Sequence, residues 1–391
     1  MAALPAMRIS RTKALSRVLL LVLTAAAVMT TEYLAQNPST SVNTIPPFAK
    51  LIDPWPNADV LRARRVDAEG RALFRTADLL SFTLKAEFSE VNKDRDPNST
   101  KTYPATLEIA GASGSTVSVP IQLAARGHLR RMSRTCDFVP LRIEFDQNAA
   151  RGTPLEGRAN RLKIVTHCRD SKEHEQFVLR EYLAYKMLNL ITPRSFRARL
   201  AKATYADSKT GKTVTTRYAT FLEDDDDVAR RLEGRINDRQ GALLHHVDTE
   251  TLTQIMVFAF MIGNTDFSLY ALHNMRIVQT PSGVLYPVAY DFDFSGLVRP
   301  PYAIPGRSLG LKSVTQRLYR GPCRTQEQIA PVLETFRAKK ADILNTLQSQ
   351  PDLNPQVRGE MKGFLNEFFS LIDRPRSVKQ FLVDTCTKGV L

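Results

Sequence analysis

One tryptophan, six histidines and four cysteines are all that the 391-residue sequence has of these types. Four cysteines are too few for a disulfide-built scaffold and enough for two bridges. None of them forms a Cys-x-x-Cys pair, which argues against a zinc-thiolate centre. Six histidines poorly serve a two-metal phosphatase or nuclease, which needs several His and Asp ligands. A Walker loop and a Gly-x-Ser-x-Gly elbow are both missing. There is no internal repeat, and no low-complexity segment beyond the short run Glu223-Asp224-Asp225-Asp226-Asp227. The apolar run from Val18 to Met29 falls short of the roughly 20 residues that span a bilayer comfortably.

What is present is an ordinary globular composition, 43% hydrophobic and 24% charged, which excludes a mostly disordered chain, a collagen and a polytopic membrane protein. Lys and Arg total 54 against 40 Asp and Glu, a net +14 that attracts polyanions of several kinds. The basic residues are scattered among acids without aromatic interleaving, so no nucleic-acid partner is expected. Arg8, Arg11, Lys13 and Arg17 precede the short apolar run, the pattern of an export signal. An uncleaved N-terminal anchor, giving membrane attachment, is the alternative. Export places the chain in an oxidising compartment, where two disulfides among Cys136, Cys168, Cys323 and Cys386 compete with four buried free thiols.

Periodicity divides the remainder. Residues 1–35 are the signal or anchor, and 36–77 a Pro- and polar-rich linker and lead-in that includes Trp55. Residues 78–222 are β-rich with one long helix: alternation marks strands at 80–88, 116–121, 139–145, 161–167, 197–205 and 214–222, and helical spacing marks 173–190. Residues 223–391 are mainly helical, with an almost wholly apolar helix at 252–262 and a β-hairpin from Met275 to Tyr290. The aspartate run reads as a solvated edge rather than a calcium loop, since it lacks the spaced acids, Gly and Glu of an EF-hand.

The chemistry concentrates after the apolar helix. Gly263-Asn264-Thr265-Asp266 ends it, Asn274 opens a strand, and Tyr290-Asp291-Phe292-Asp293 follows where the hairpin runs out. The spacing can bring Asp266, Asn274 and Asp291 to one edge of a small sheet, where a Mg²⁺ holding a nucleoside triphosphate would find the hard oxygen ligands it needs, whereas Asp293 can equally cap a following turn. Phosphoryl transfer also needs an Asp to accept or orient the incoming hydroxyl. Each residue alone is an ordinary turn former; the argument is their order and number. Glu181 has Phe177, Val178, Ala184 and Tyr185 as its helical neighbours, so its carboxylate lies on an apolar face and requires a partner. Lys163 on the preceding strand is the natural one; Arg142 is placed as well for holding phosphate, and a Glu181 at the edge of the stripe would reach water instead.

The window resembles the catalytic end of the spore-coat CotH family of secreted atypical protein kinases and, more distantly, HipA-type kinases. The likeness includes Arg126-Gly127, Glu181-Tyr182-Leu183-Ala184-Tyr185 and Phe221-Leu222-Glu223, and covers roughly residues 80–300. It implies an α+β, bilobal protein-kinase-like fold with a β-rich N-terminal lobe and a helical C-terminal lobe. It implies Asp266 as catalytic base, Arg126, Lys163, Glu181 and Glu223 at the nucleotide, and Asn274, Asp291 and Asp293 at the metal. Arg126-Gly127-His128-Leu129-Arg130-Arg131 has one glycine where the family has a Gly-Ser turn, so Arg126, Arg130 or Arg131 are candidates to hold phosphate through side chains. The acceptor expected is a hydroxyl of a protein or glycan. A catalytically silent surface or envelope-binding protein, adhesin-like, is the alternative.

Overall fold

The computed structural model describes residues 53–157 and 159–389. The expected signal or anchor, and the linker up to residue 52, lie outside the described residues. The described chain begins with a feature the lead-in was not expected to contain. Helix α1 (Ala58–Glu69) is capped by Asn57, whose side chain accepts from the Val60 N–H at 2.9 Å. Only Leu61 and Ala68 are buried on it, so no apolar stripe announces it in the sequence. Just before it, Trp55 stacks under the Arg235 guanidinium at 3.8 Å.

Seven strands follow: β1 (Leu80–Ala86), β2 (Tyr103–Ala110), β3 (Thr116–Ala125), β4 (Leu141–Phe145), β5 (Arg161–Val165), β6 (Ala198–Asp207) and β7 (Thr213–Leu222). Alternation sends Phe82, Leu84, Ile109, Ile121, Ile143 and Phe221 inward to one apolar core. Neighbours pair antiparallel in the order β1-β2-β3-β4-β5-β7-β6, and β1 then pairs parallel with β6, Leu80 opposite Ala201 and Leu84 opposite Tyr205. The sheet is thereby closed. This overturns the bilobal kinase-like fold: the β-rich part is a closed seven-stranded mixed barrel, not the lobe of a kinase. The physical reason is the edge. An open sheet would leave the backbone of β1 and β6 unpaired, and closure satisfies both edges at once.

Between β5 and β6 runs α2 (Lys172–Ile191), started by Ser171, whose hydroxyl accepts from the His174 N–H. It is buried on most of its surface and joins a second apolar core. After the barrel come α3 (Asp225–Arg231), β8 (Arg235–Ile236), α4 (Thr249–Ile262), β9 (Met275–Gln279) and β10 (Leu285–Ala289). The last two strands form the expected hairpin, and β8 adds to β9 to give a small antiparallel sheet. Helices α5 (Gln326–Ala338), α6 (Lys340–Gln348) and α7 (Pro355–Ile372) complete the second core. The apolar helix α4 is its centre, in contact with α2, β10, α5 and α7.

Two disulfides, Cys136–Cys168 and Cys323–Cys386, use all four cysteines, so neither zinc nor free thiols remain as an alternative. Both bridges fit an exported protein. Among the described residues no helix is long and apolar enough to cross a membrane.

Candidate functional site

Helix α4 stops at Gly263, whose φ of 67° is left-handed and so favours glycine. The chain then turns through Asn264, whose side chain accepts from the Asp266 N–H at 3.0 Å. That turn presents the Asp266 carboxylate, 37% exposed, beside the start of β9. Asn274 fixes it: Nδ2 donates to the Asp266 backbone carbonyl at 2.7 Å and to Oδ2 at 3.1 Å. His273 Nε2 lies 3.2 Å from Oδ1, and hydrogen bonding to Asp266 raises the histidine's pKa. Asn274 and Asp291 both have left-handed backbones, with φ of 53° and 62°. Non-glycine residues adopt that region sparingly, Asn and Asp among the least strained. The Tyr290 N–H donates to the Asn274 carbonyl at 3.1 Å, and the Asp291 N–H to the Tyr185 hydroxyl at 2.8 Å. The hairpin thus brings the two halves of the sequence window together and ties them to α2.

From α2 comes Glu181, 3% exposed, with Oε1 buried and without a hydrogen-bond partner. Burial first, then the carboxylates of Asp293 and Asp291, push its pKa well above the ordinary range, against the pull of Arg130 and Arg126. Asp293, 6% exposed, is pushed up to about 7 by burial and by Asp291. Its Oδ2 accepts from the Tyr302 hydroxyl at 3.0 Å. Arg130 is half-buried over this group, feels Asp293, Glu181 and Asp291, and donates to the Thr166 carbonyl. The Asp266 carboxylate adds a smaller upward push on Asp293. Glu181, Asp293 and Arg130 therefore line one narrow cavity, with Asp291 acting on both acids and Arg126 on Glu181, while Asp266 and Asn274 are bonded to each other.

Two nucleotide-side residues are placed differently. Lys163 does not pair with Glu181. Its Nζ bonds Asp225 Oδ1 at 2.7 Å, Arg276 takes the other oxygen at 2.9 Å, and the ammonium lies 5.0 Å from the Tyr290 ring centre. Burial lowers the Lys163 pKa against the pull of Asp225. Asp225 stands closer because α3 begins against the end of β7, and a nearer anion wins. Glu223 is fully buried with both oxygens taken by Arg197 and Arg231, so its carboxylate serves as a cross-brace. Arg142 pairs with Glu144 at 2.7 Å, and Arg131, 1% exposed, with Asp94 at 2.6 Å.

The aspartate run is not a solvated edge. Asp224 caps α3, Asp225 holds Lys163 and Arg276, and Asp227, 2% exposed, is held by Arg71 at 3.1 Å and Arg230 at 2.6 Å. Sequence reasoning also passed over Tyr302 and Tyr185. No local signal marks Tyr302, which lies in the stretch Arg299-Pro300-Pro301 onward. Tyr185 was visible only as a helix-stripe aromatic.

Among the described residues no three His, Cys, Asp or Glu side chains stand together as a ready metal cage. The donors still fit a hard cation that keeps waters and phosphate oxygens in its shell. Asn274, Asp291 and Asp293 offer oxygens, and the orphaned Glu181 oxygen is a buried acceptor in want of positive charge. No family model matches the chain, and no curated protein matches it.

Proposed function

We propose that this chain is an exported, ATP- and Mg²⁺- or Mn²⁺-dependent phosphotransferase with CotH-like chemistry, acting on a hydroxyl acceptor in the periplasm, at the cell surface or outside the cell. One observation carries the reading: Glu181, Asp293 and Arg130 line one narrow cavity, Asp291 acts on both acids, and the buried Glu181 Oε1 has no hydrogen-bond partner. Buried like charges are costly without compensation, so such a group is built for a cation. Asn274, Asp291 and Asp293 would hold the metal with the nucleotide phosphates. The metal, when bound, supplies neutralising charge for those phosphates.

Arg126 and Arg130 present guanidinium groups to phosphate oxygens from the turn after β3, in place of a glycine-rich cradle. Asp266, locked by Asn274 and His273, accepts the proton of the incoming hydroxyl. The hydroxyl oxygen then bonds the γ-phosphorus as the bond to the β–γ bridging oxygen breaks, and ADP leaves. The reading rests on the site alone and needs no particular fold.

The test is thermal stability of the full chain with Mn²⁺ and ATP. Saturating ligand at about 100 times Kd stabilises by about 2.7 kcal/mol. Wild type is expected to show this rise and Asp291→Ala to lose it; equal responses from both would sink the proposal. A second reading, a catalytically silent envelope-binding protein, is favoured by the commitment of Lys163 to Asp225. It requires binding to envelope fractions that survives replacement of Asp266, Asn274 and Asp291 together.

A further inference from the structure

Resting on that reading, the acceptor can be narrowed. A cavity of about 250 Å³ opens beside Asp266, lined by His273, Phe294, Ile304, Leu309 and Arg320 among others. Its inner wall is the loop that carries Asp266. Arg320 Nη1 fixes that wall by donating to the Thr265 carbonyl at 2.6 Å and the Phe267 carbonyl at 3.1 Å. Its outer wall is the segment 304–309, which ends in the turn Arg307–Leu309 and the left-handed Gly310. Two residues before Ile304, the Tyr302 hydroxyl bonds Asp293 at 3.0 Å. One short segment therefore spans from the acid cluster to the cavity.

The Asp266 carboxylate enters this cavity with capacity to spare. Each oxygen accepts one hydrogen bond, from His273 and from Asn274, while a carboxylate has about four acceptor positions. The volume is below the roughly 300–1,000 Å³ of an ordinary small-molecule pocket, which leaves room for a short side chain rather than a sugar oligomer. The walls are mixed: Phe294, Ile304 and Leu309 give an apolar surface on which a side chain can pack, beside the polar His273, Ser308 and Arg320. Ile304, at 70% exposure, is the most exposed of the large apolar side chains among the described residues. A single such residue needs no explanation by itself, but this one lines the cavity that holds the candidate base.

We infer that this cavity is the acceptor subsite, and that it takes a serine or threonine hydroxyl on a peptide whose next residue is apolar and packs on Ile304. The hydroxyl oxygen bonds the γ-phosphorus of ATP, its proton passes to Asp266, and ADP leaves with the electrons of the broken P–O bond.

The experiment incubates the full chain with Mn²⁺ and ATP and three probes: a pentapeptide with leucine after its serine, its aspartate counterpart, and maltoheptaose. The leucine peptide is expected to be phosphorylated with kcat/KM about tenfold above the aspartate peptide. Ile304→Asp is expected to abolish that preference through KM while stabilisation by Mn²⁺ and ATP is retained. Equal use of the two peptides, preference for maltoheptaose, or an Ile304→Asp enzyme that keeps the preference each overturn the acceptor assignment. So does stabilisation by Mn²⁺ and ATP with no phosphate in either peptide; the phosphotransferase reading then stands or falls on its own Asp291→Ala test. Absence of any stabilisation in wild type overturns that reading, and this one with it.

Discussion

Two buried residues, His167 and Asp293, pull stability in contrary directions with pH. His167 is 1% exposed, packed 4.5 Å from Phe138 and 5.5 Å from Tyr205 between ring centres, with neither ring nitrogen hydrogen-bonded. Burial depresses its pKa to about 3. Unfolding therefore takes up a proton below about 6.5, and its contribution to stability is lost as pH falls toward 3. Asp293 is the reverse. Burial and Asp291 hold its pKa at about 7, so its contribution is complete below the unfolded value of 3.8 and is lost as pH rises to 7. Over pH 4.5–6.5 each contributes a slope of up to about 1.4 kcal/mol per unit, with opposite sign. Relative to wild type, Asp293→Asn should gain stability as pH rises through that interval, and His167→Phe should lose it. Urea midpoints at pH 4.5, 5.5 and 6.5 decide this; parallel curves for both variants would show that neither group titrates differently on folding.

At the scale of elements, α3 does the work that its sequence concealed. Three aspartates in its first turn suit the positive end of a helix, but their side chains are chosen by what they meet: Lys163 and Arg276 at Asp225, Arg71 and Arg230 at Asp227. Arg71 has a side chain only 8% exposed. Removing Asp227 leaves that buried cation only the half-exposed Asp67 at 3.5 Å, so Asp227→Ala should destabilise by about 3 kcal/mol. Asp226→Ala, on an aspartate that forms no ion pair among the described residues, is the matched control, and chemical denaturation compares them. Elements of this kind were half legible. The strands, α2, α4 and the hairpin follow from periods of 2 and 3.6, and the clustering of Asp266, Asn274 and Asp291 follows from their positions at the ends of those elements. The barrel was not legible, because β1 meets β6 about 120 residues away and nothing local encodes that parallel pairing. The ion-pair choices were not legible either: Glu181 and Asp225 both lie within reach of a strand lysine, and only the fold decides between them.

At the scale of the whole molecule, the two disulfides divide the labour of holding the site from that of holding the chain end. Cys136–Cys168 joins the segment after the Arg126–Arg131 turn to the residue following His167, and the Asp137 and Phe138 N–H groups both donate to the Cys168 carbonyl. Cys168 and Arg130 line the same narrow cavity as Glu181, Asp293 and Tyr302. Cys323–Cys386 closes the C-terminal end, where Pro322 and Thr387 pair as a parallel bridge. The loops closed are 32 and 63 residues, so chain entropy ranks the second bridge slightly above the first, both at about 3–4 kcal/mol. Function ranks them the other way. Cys136→Ser with Cys168→Ser should lower stability and also shrink the response to Mn²⁺ and ATP, because Arg130 loses the frame that holds it over the carboxylates. Cys323→Ser with Cys386→Ser should cost at least as much stability and leave that response whole. Melting temperatures of the two double variants, each with and without Mn²⁺ and ATP, separate the roles. If both variants respond as wild type does, the first bridge is structural only, and Arg130 is held by its bond to Thr166 and the fields of the acids beneath it.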